Sequence, residues 1–251
     1  MKYLAEMTFP EVQEASKTAV ALLPAAAIEA HGPHLPLLTD VIIARGMATA
    51  GAQAIETRGL ASLAVVAPPL QFTPAGYAAS FPGTLSLSPE TARVVAREAI
   101  AALAHAGFER VVIANAHLDP AHIGALHEAA QDSRAAGIRV TFPDITRKPW
   151  ALRLSDEFRS GACHAGQFET SIVMAERPDL VREAIRVGLA PNPVSLSEAI
   201  RAGRKTFEEA GGPEAYFGAP REASVEEGRQ TLATLAGILA DAVAADREAG
   251  A

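Results

Sequence analysis

The stretch TAVALLPAAAIEAHGPHLPLLTD, residues 18–40, carries an apolar run, a loop rich in acidic and imidazole side chains, and the start of a helix. The run from Thr18 to Ile28 predicts a buried strand that leads into the loop, because it is short, apolar and uncharged. The segment from Asp40 to Arg58 predicts a helix that is closed by Gly59. A strand followed by a loop and a helix is the first half of a βαβ unit.

Short apolar runs alternate with longer helical segments along most of the chain, which favours an α/β fold on a mainly parallel sheet. Further strands are predicted at 62–68, 110–115 and 138–142. Further helices are predicted near Pro10, from Ser88 to Gly107, from Asp119 to Gly137, between Gly166 and Pro178, and from the capping box Ser224–Glu227 almost to the C-terminus. Residues 190–221 are rich in Gly and Pro and predict a long excursion used for function or assembly. No repeat or linker divides the sequence, so we expect one domain over residues 1–251.

Composition argues against several classes of protein. Of the 251 residues, 49% are hydrophobic, which is enough to bury a sizeable core. The net charge of −7 and the lack of basic runs argue against nucleic acid or an anionic membrane as a partner. No stretch reaches 18 apolar residues and the acidic N-terminal segment has no signal-peptide core, so we expect neither a membrane span nor secretion. The single cysteine, Cys163, excludes internal disulfides and suits the cytoplasm.

Acidic and imidazole side chains follow the predicted strands. Glu29 and His31 come after the first strand, and His117 comes after the strand at 110–115. The carboxyl ends of parallel strands meet at one edge of a sheet, where ligands collect. Asp40 opens the next helix and can approach the same edge. Carboxylate and imidazole groups on rigid supports are what a divalent metal site needs.

The spacing allows two ions rather than one. Glu29 and His31 are two residues apart, so in an extended segment both side chains point to the same side and each can ligate a different ion. Asp40 can bridge the pair. Two ions about 3.5–4 Å apart can together bind a hydroxide and polarise a carbonyl oxygen. Each residue alone has a plainer explanation, because a histidine near a turn usually makes loop hydrogen bonds, and Asp40 and Asp119 can each cap a helix.

Four blocks of sequence together resemble the creatininase (creatinine amidohydrolase) family. They are EAHGPHLP at 29–36, FPGTLSL at 81–87, NAH at 115–117 and HAGQFETS at 164–171. In the family, a strand ends in E-x-H-G-x-H-L-P and a metal-binding Asp follows, which is Asp40 here. The resemblance spans residues 20–175 in the family's order.

The resemblance implies a three-layer α/β/α sandwich, commonly in a hexamer, that acts on a small molecule. It implies two divalent ions, zinc, manganese or iron, and hydrolysis of an amide-type C–N bond, often in a cyclic substrate, by metal-activated water. Carried over to this chain, Glu29, Asp40 and His117 would hold one ion. His31 and the bridging Asp40 would hold the other.

The resemblance leaves the last metal ligand open between two acids. Asp119 matches the position of a metal-binding Glu in creatininase. Glu169 lies in the HAGQFETS block and is preferred, because Asp119 has the competing role of a helix cap. His164 matches a histidine near the reacting group, where it would polarise the substrate or shuttle a proton. We therefore take His164 and Glu169 as the candidate catalytic residues.

Two departures from the family's pattern imply a different substrate wall. Many members carry NGHGGN where this chain has NAHLDP at 115–120, and the block before FPGT usually offers a histidine where this chain has GYAAS at 76–80. We expect Ser80, Leu118 and Trp150 to contact the substrate.

Other functions stay open. Within the family, the reaction can be cleavage of a small cyclic ketone or of a peptide tail during cofactor maturation. Outside it, the chain can be a metal- or ligand-binding protein without turnover. A thiol nucleophile is disfavoured, since the adjacent Cys163 and His164 would point to opposite faces of an extended segment. For His105, His122 and His127, packing or solvent roles are predicted.

Overall fold

Strand β2 (Ala19–Ala25) lies at the centre of a five-stranded sheet in the computed structural model, which describes residues 1–249. The other strands are β1 (Lys2–Tyr3), β3 (Leu63–Val66), β4 (Arg110–Asn115) and β5 (Val140–Thr141). Their order is β1-β3-β2-β4-β5, and every pair of neighbours is parallel. The parallel sheet predicted from the alternating pattern is confirmed.

Nine α-helices connect and cover these strands within residues 1–249. They are α1 (Phe9–Ala15), α2 (Thr39–Thr57), α3 (Pro89–His105), α4 (Pro120–Ala135), α5 (Asp156–Ser160), α6 (Gln167–Glu176), α7 (Glu183–Arg186), α8 (Leu196–Arg201) and α9 (Val225–Ala249). Every helix predicted from the sequence is present. None of the described helices combines the length and the apolar character needed to cross a membrane.

Alternating side chains build one apolar layer on each face of the sheet. In β2, Val20 and Leu22 share a core with α2, α6 and α9, whereas Ala21 and Leu23 share a core with α3 and α4. Successive residues of a strand point to opposite faces, so an uninterrupted apolar strand serves both layers. The result is the predicted three-layer α/β/α sandwich.

Helix α9 lies unusually close to α6. A Cβ atom at Gly228 would lie 1.9 Å from the carbonyl oxygen of Ser171. The Glu227 carboxylate accepts hydrogen bonds from Gln167 at 2.7 Å and from the Ser171 hydroxyl at 3.2 Å. Only one of the two hydrogen bonds of the capping box predicted at Ser224–Glu227 therefore forms. The Ser224 hydroxyl accepts the Glu227 N–H at 3.2 Å, while the Glu227 side chain binds α6 instead.

The outer strands depart from the prediction. The strand expected at 138–142 is shortened to β5, because the Ile138 N–H donates to the Ser133 carbonyl at 3.0 Å and so closes α4. Strand β1 was not predicted, since two residues carry no periodic pattern. Both outer strands are thus too short for sequence periodicity to define.

The segment 190–221 packs against the body of the protein. It contains α8 and three buried aromatic side chains, Phe207, Tyr216 and Phe217. The Phe207 N–H donates to the Tyr77 carbonyl at 2.9 Å, and the Phe217 N–H donates to the His164 carbonyl at 2.7 Å. These bonds tie the segment to two of the sequence blocks that were singled out above.

The close contact of α9 with α6 gives a test of the fold. We expect Gly228→Ala to lower the free energy of unfolding by about 1–3 kcal/mol, because the new methyl group forces the helices apart. Gly124→Ala in α4, where a Cβ meets nothing within 4 Å, should raise it by up to about 1 kcal/mol, because alanine is the better helix former. Urea unfolding followed by circular dichroism measures both. Equal effects of the two substitutions would contradict the packing described.

Candidate metal centre

Five titratable side chains meet where the loops after β2 and β4 approach the first turns of α2 and α6. Each is at most 4% exposed; they are Glu29, His31, Asp40, His117 and Glu169. The pairing of Ala25 with Asn115 in neighbouring strands places the two loops side by side at the carboxyl edge of the sheet. All five were candidate ligands in the sequence, and the structure brings them into one cluster.

Asp40 lies between two histidines. Its Oδ1 atom is 3.1 Å from His31 Nε2, and its Oδ2 atom is 3.0 Å from His117 Nδ1. Glu29 Oε1 lies 3.1 Å from the same atom of His117, and Glu169 Oε2 lies 3.5 Å from the same atom of His31. Two groups of three potential ligands therefore share Asp40, and within each group the ligand atoms lie within 4.8 Å of one another.

The second nitrogen of each histidine fixes the orientation of its ring. His31 Nδ1 lies 3.1 Å from the main-chain oxygen of Glu29, and His117 Nε2 lies 2.8 Å from that of Pro74. A carbonyl oxygen only accepts, so both of these nitrogens carry a proton. In the neutral ring, His31 Nε2 and His117 Nδ1 then present lone pairs to the cluster, as metal ligands must.

The carboxylates control the charge of the histidines. Burial by itself would lower the pKa of His31, but Asp40, Glu169 and Glu29 raise it to about 10. Burial opposes the same effect at His117, whose pKa Glu29 and Asp40 raise well above its ordinary value. Burial raises the pKa of Glu169 to about 8, although His31 acts against that rise. The buried carboxylates of Glu29, Asp40 and Glu169 lie so close together that they need cations beside them.

One atom of the cluster shows that the residues fit a metal ion. Asp40 Oδ2 is buried and has no hydrogen-bond partner among residues 1–249, although His117 Nδ1 is 3.0 Å away. A buried acceptor without a donor costs free energy. A divalent cation beside Oδ2 would satisfy it, and carboxylates with imidazoles suit zinc, manganese or iron.

His164 borders the cluster as a neutral ring. Its Nε2 donates to the Ala30 carbonyl at 2.9 Å, which leaves Nδ1 unprotonated at 3.9 Å from Glu29 Oε1. The ring lies against those of His31 and Phe207, with 4.3 Å between centroids in each case. Burial lowers the pKa of His164 well below its ordinary value. The free lone pair can accept a proton, or it can bind an ion in a third group with Glu29 and His31.

A tight turn before α6 positions Glu169. Ala165 has a left-handed φ of 51°, and its N–H donates to Glu169 Oε2 at 2.7 Å. Gly166 follows, where a Cβ would lie 2.5 Å from Glu157 Oε1. The Glu157 carboxylate accepts the Phe168 N–H at 2.8 Å and so anchors the start of the helix. Strain of this kind, about 1–3 kcal/mol, persists where the surroundings enforce it, commonly at functional sites.

Asp119 occupies a different position from Glu169. Its Oδ1 accepts the Ala121 N–H at 2.7 Å as the cap of α4, and its Oδ2 accepts the Gly76 N–H at 3.1 Å. None of the potential ligand groups formed by residues 1–249 includes Asp119. These contacts favour Glu169 for the ligand position that the sequence left open.

Four of the five cluster residues, Glu29, Asp40, His117 and Glu169, line an open cavity of about 550 Å³. Leu118, one of the three predicted substrate contacts, also lines it. Trp150 packs against the core instead, and neither it nor Ser80 belongs to the described lining. Ser80 is exposed, and its hydroxyl donates to Glu208 at 2.6 Å.

Sequence reasoning missed the residues that hold His117. Asn115 Oδ1 accepts the His117 N–H at 3.2 Å, and Asn115 Nδ2 donates to the His117 carbonyl at 2.8 Å. His122 Nε2 donates to the same Asn115 Oδ1 at 2.8 Å, and His122 Nδ1 accepts the hydroxyl of Thr73. The only sequence signal was the nearness of Asn115 and His122 to His117, since Thr73 lies in a loop without a periodic pattern.

Comparison with known proteins gives consistent results. A sequence model of the creatininase family, described as creatinine amidohydrolase, matches residues 5–243. Mycofactocin precursor peptide peptidase of Mycobacterium ulcerans (strain Agy99) is 31% identical over 221 residues, which cover 85% of this chain and 80% of that protein. Creatinine amidohydrolase of Pseudomonas putida is 29% identical over 197 residues, covering 71% and 73%. A solved structure of creatininase with manganese has a TM-score of 0.74 at 26% identity, covering 97% of this chain and 98% of that one.

The network behind His117 predicts a stability effect. His122→Leu leaves the Thr73 hydroxyl without its buried partner and removes one of the two N–H groups that Asn115 Oδ1 accepts, so we expect the free energy of unfolding to fall by about 1–3 kcal/mol. The matched control is His105→Leu at the exposed end of α3, which should change it by less than about 0.5 kcal/mol. Both are measured by urea unfolding of the metal-free protein. An unfolding free energy for His122→Leu equal to that of the control would show that the network contributes nothing.

Proposed function

The chain belongs to the creatininase family, and we propose that it is a dinuclear metal-dependent hydrolase that cleaves an amide-type C–N bond in a small, open or cyclic, substrate. The resemblance found in the sequence is thereby confirmed. The two relatives named above, an amidohydrolase and a peptidase, are both hydrolases. We further propose that residues 1–251 form one hydrolase domain, of which 250 and 251 lie outside the described residues.

The observation that carries the proposal is the position of Asp40, whose two carboxylate oxygens face different histidines. Glu29, Asp40 and His117 would hold one ion, and His31, Asp40 and Glu169 would hold the second. Such a pair of ions supplies Lewis acidity and an acidified water when bound. The manganese in the similar creatininase structure supports a metal ion at this centre.

His164 is the residue best suited to move a proton. Its Nδ1 is unprotonated and borders the cavity, and the Ala30 carbonyl holds the ring in that tautomer. Phe207 packs against the same ring, with 4.3 Å between the ring centroids. Nδ1 can therefore take a proton from the attacking water and return it to the leaving nitrogen. Glu169 is the other candidate catalytic residue, but its contact with His31 supports the ligand role.

A peptide is the second candidate substrate. The relative with 31% identity is a precursor peptide peptidase, and a peptide bond is the same C–N amide bond. The open cavity admits a chain end as well as a small molecule. No contact in the described residues favours cleavage of a cyclic ketone. The free Nδ1 of His164 argues against a protein without turnover.

Assembly and location complete the proposal. We propose a homo-oligomer, a hexamer by resemblance to the family. We also propose a cytoplasmic location, which suits a chain whose single cysteine is buried and unpaired.

The proposal is tested by a screen of metal-loaded protein against cyclic amides, formamides and short peptides, with Glu29→Gln as the inactive control. Hydrolysis of a C–N bond that is abolished by chelation, restored by Mn²⁺ or Zn²⁺ and lost in Glu29→Gln is the expected result. Full activity in a demonstrably metal-free sample would refute the proposal.

The shared position of Asp40 predicts different metal contents for two variants. His31→Asn removes a ligand of one ion, so we expect it to keep about one ion per chain where the unaltered protein holds about two. Asp40→Asn removes the shared ligand and should keep almost none. Elemental analysis after equilibration with Mn²⁺ measures both, and equal contents would remove the bridging role of Asp40.

The role of His164 predicts a loss of turnover without a loss of metal. We expect His164→Asn to retain the metal content of the unaltered protein while kcat falls about 10²–10⁴-fold, the usual contribution of a general acid–base group. His105→Asn, at an exposed position, serves as the control. Near-normal kcat would end the catalytic assignment, and loss of metal would make His164 a ligand.

A further inference from the structure

We propose that Arg201 binds a carboxylate that the substrate carries at a distance from the scissile amide. This inference rests on the proposed function and names the class of substrate. The same cavity is lined by the candidate metal ligands and by Arg147, Arg159 and Arg201. A molecule that fills this cavity therefore contacts both the candidate metal ligands and a wall that carries arginine side chains.

Arg201 differs from its two neighbours in its partners. Arg147 Nε lies 3.0 Å from Asp144 Oδ2, and Arg159 is paired with Asp156. Among the residues that the structure describes, no carboxylate lies within ion-pair distance of Arg201. Arg201 is thus the arginine of this wall whose guanidinium remains available to an anion.

The position of Arg201 is set by contacts of α8, the helix that it ends. The Ser195 hydroxyl, which precedes α8, donates to the Ser160 carbonyl at 2.7 Å. A Cβ at Gly161 would lie 2.1 Å from Ser197 Oγ, so α8 approaches the end of α5 as closely as a glycine allows. Because α8 is held at its start, the main chain at Arg201 has a fixed position beside the cavity, and its exposed side chain lines the cavity.

The chemistry of the wall favours a carboxylate. Guanidinium groups match carboxylates with two parallel hydrogen bonds. One available guanidinium balances the single charge of a carboxylate, whereas a phosphate would carry more charge than the wall can neutralise. Leu196, Ile200 and Phe207 line the same cavity, so the part of the substrate between its two polar ends is expected to be apolar.

The test compares amides that differ only in the distal group. Monoamides of dicarboxylic acids, from succinamate to adipamate, are paired with neutral amides of the same chain length, such as glutaramate with pentanamide. We expect kcat/KM of the metal-loaded protein to favour the carboxylate member by about tenfold at the length that spans the cavity. Arg201→Ala should remove this preference, mainly through KM, and Arg201→Lys should keep part of it.

The matched control is Arg204→Ala, which removes the same charge from an exposed position outside the cavity lining and should keep the preference. Equal kcat/KM for both members of every pair, or a preference that survives Arg201→Ala, would overturn the inference and leave the proposed function standing. If neither amide is hydrolysed, the screen of cyclic amides, formamides and peptides still decides the proposed function, and calorimetry decides the inference. Glutaramate must bind the unaltered protein about tenfold more tightly than Arg201→Ala, and equal affinities would overturn it.

Discussion

A buried carboxylate shared by two histidines is the constraint on which the site depends. Asp40 cannot stay charged in an apolar interior without cations beside it. Its partners His31 and His117 come from loops after different strands, so the sheet must hold both loops against the first turn of α2. The central position of β2, paired directly with β4, does this. A change that displaces either loop therefore disturbs the charge balance of the whole cluster.

A group of aromatic side chains lies beside this cluster, next to His164, although the chain contains few of them. Aromatic residues make up only 5% of the sequence, so the two helix layers pack through Ala, Val, Leu and Ile. Phe207 instead packs on His164 and also on Phe81 and Phe217. Large rings exclude water well, and a dry boundary strengthens every electrostatic interaction inside it. The irregular segment 190–221 supplies two of these rings and so forms part of the site.

The sequence was sufficient to predict the layers of helices and sheet, the parallel direction of the strands and the clustering of the candidate metal ligands. Glu29 and His117 could be predicted together because parallel strands end at one edge. The cap role of Asp119 could be predicted as well, but its second hydrogen bond, from Gly76 in a separate loop, could not. The availability of Arg201 could not either, because whether a guanidinium is paired depends on carboxylates that approach it in space. Periodicity predicts helices and strands, whereas such contacts arise between segments that have no period.

The outer strands of the sheet are each two residues long. A sheet edge recruits other chains through its row of unpaired N–H and C=O groups, and short edges are one way in which proteins suppress aggregation. Here each outer strand offers only two residues with such unpaired groups, so a strand of another chain has almost no edge with which to form hydrogen bonds. Copies of this protein that associate must do so through helices and loops, and partly unfolded forms that expose the long inner strands are the ones prone to misassociation.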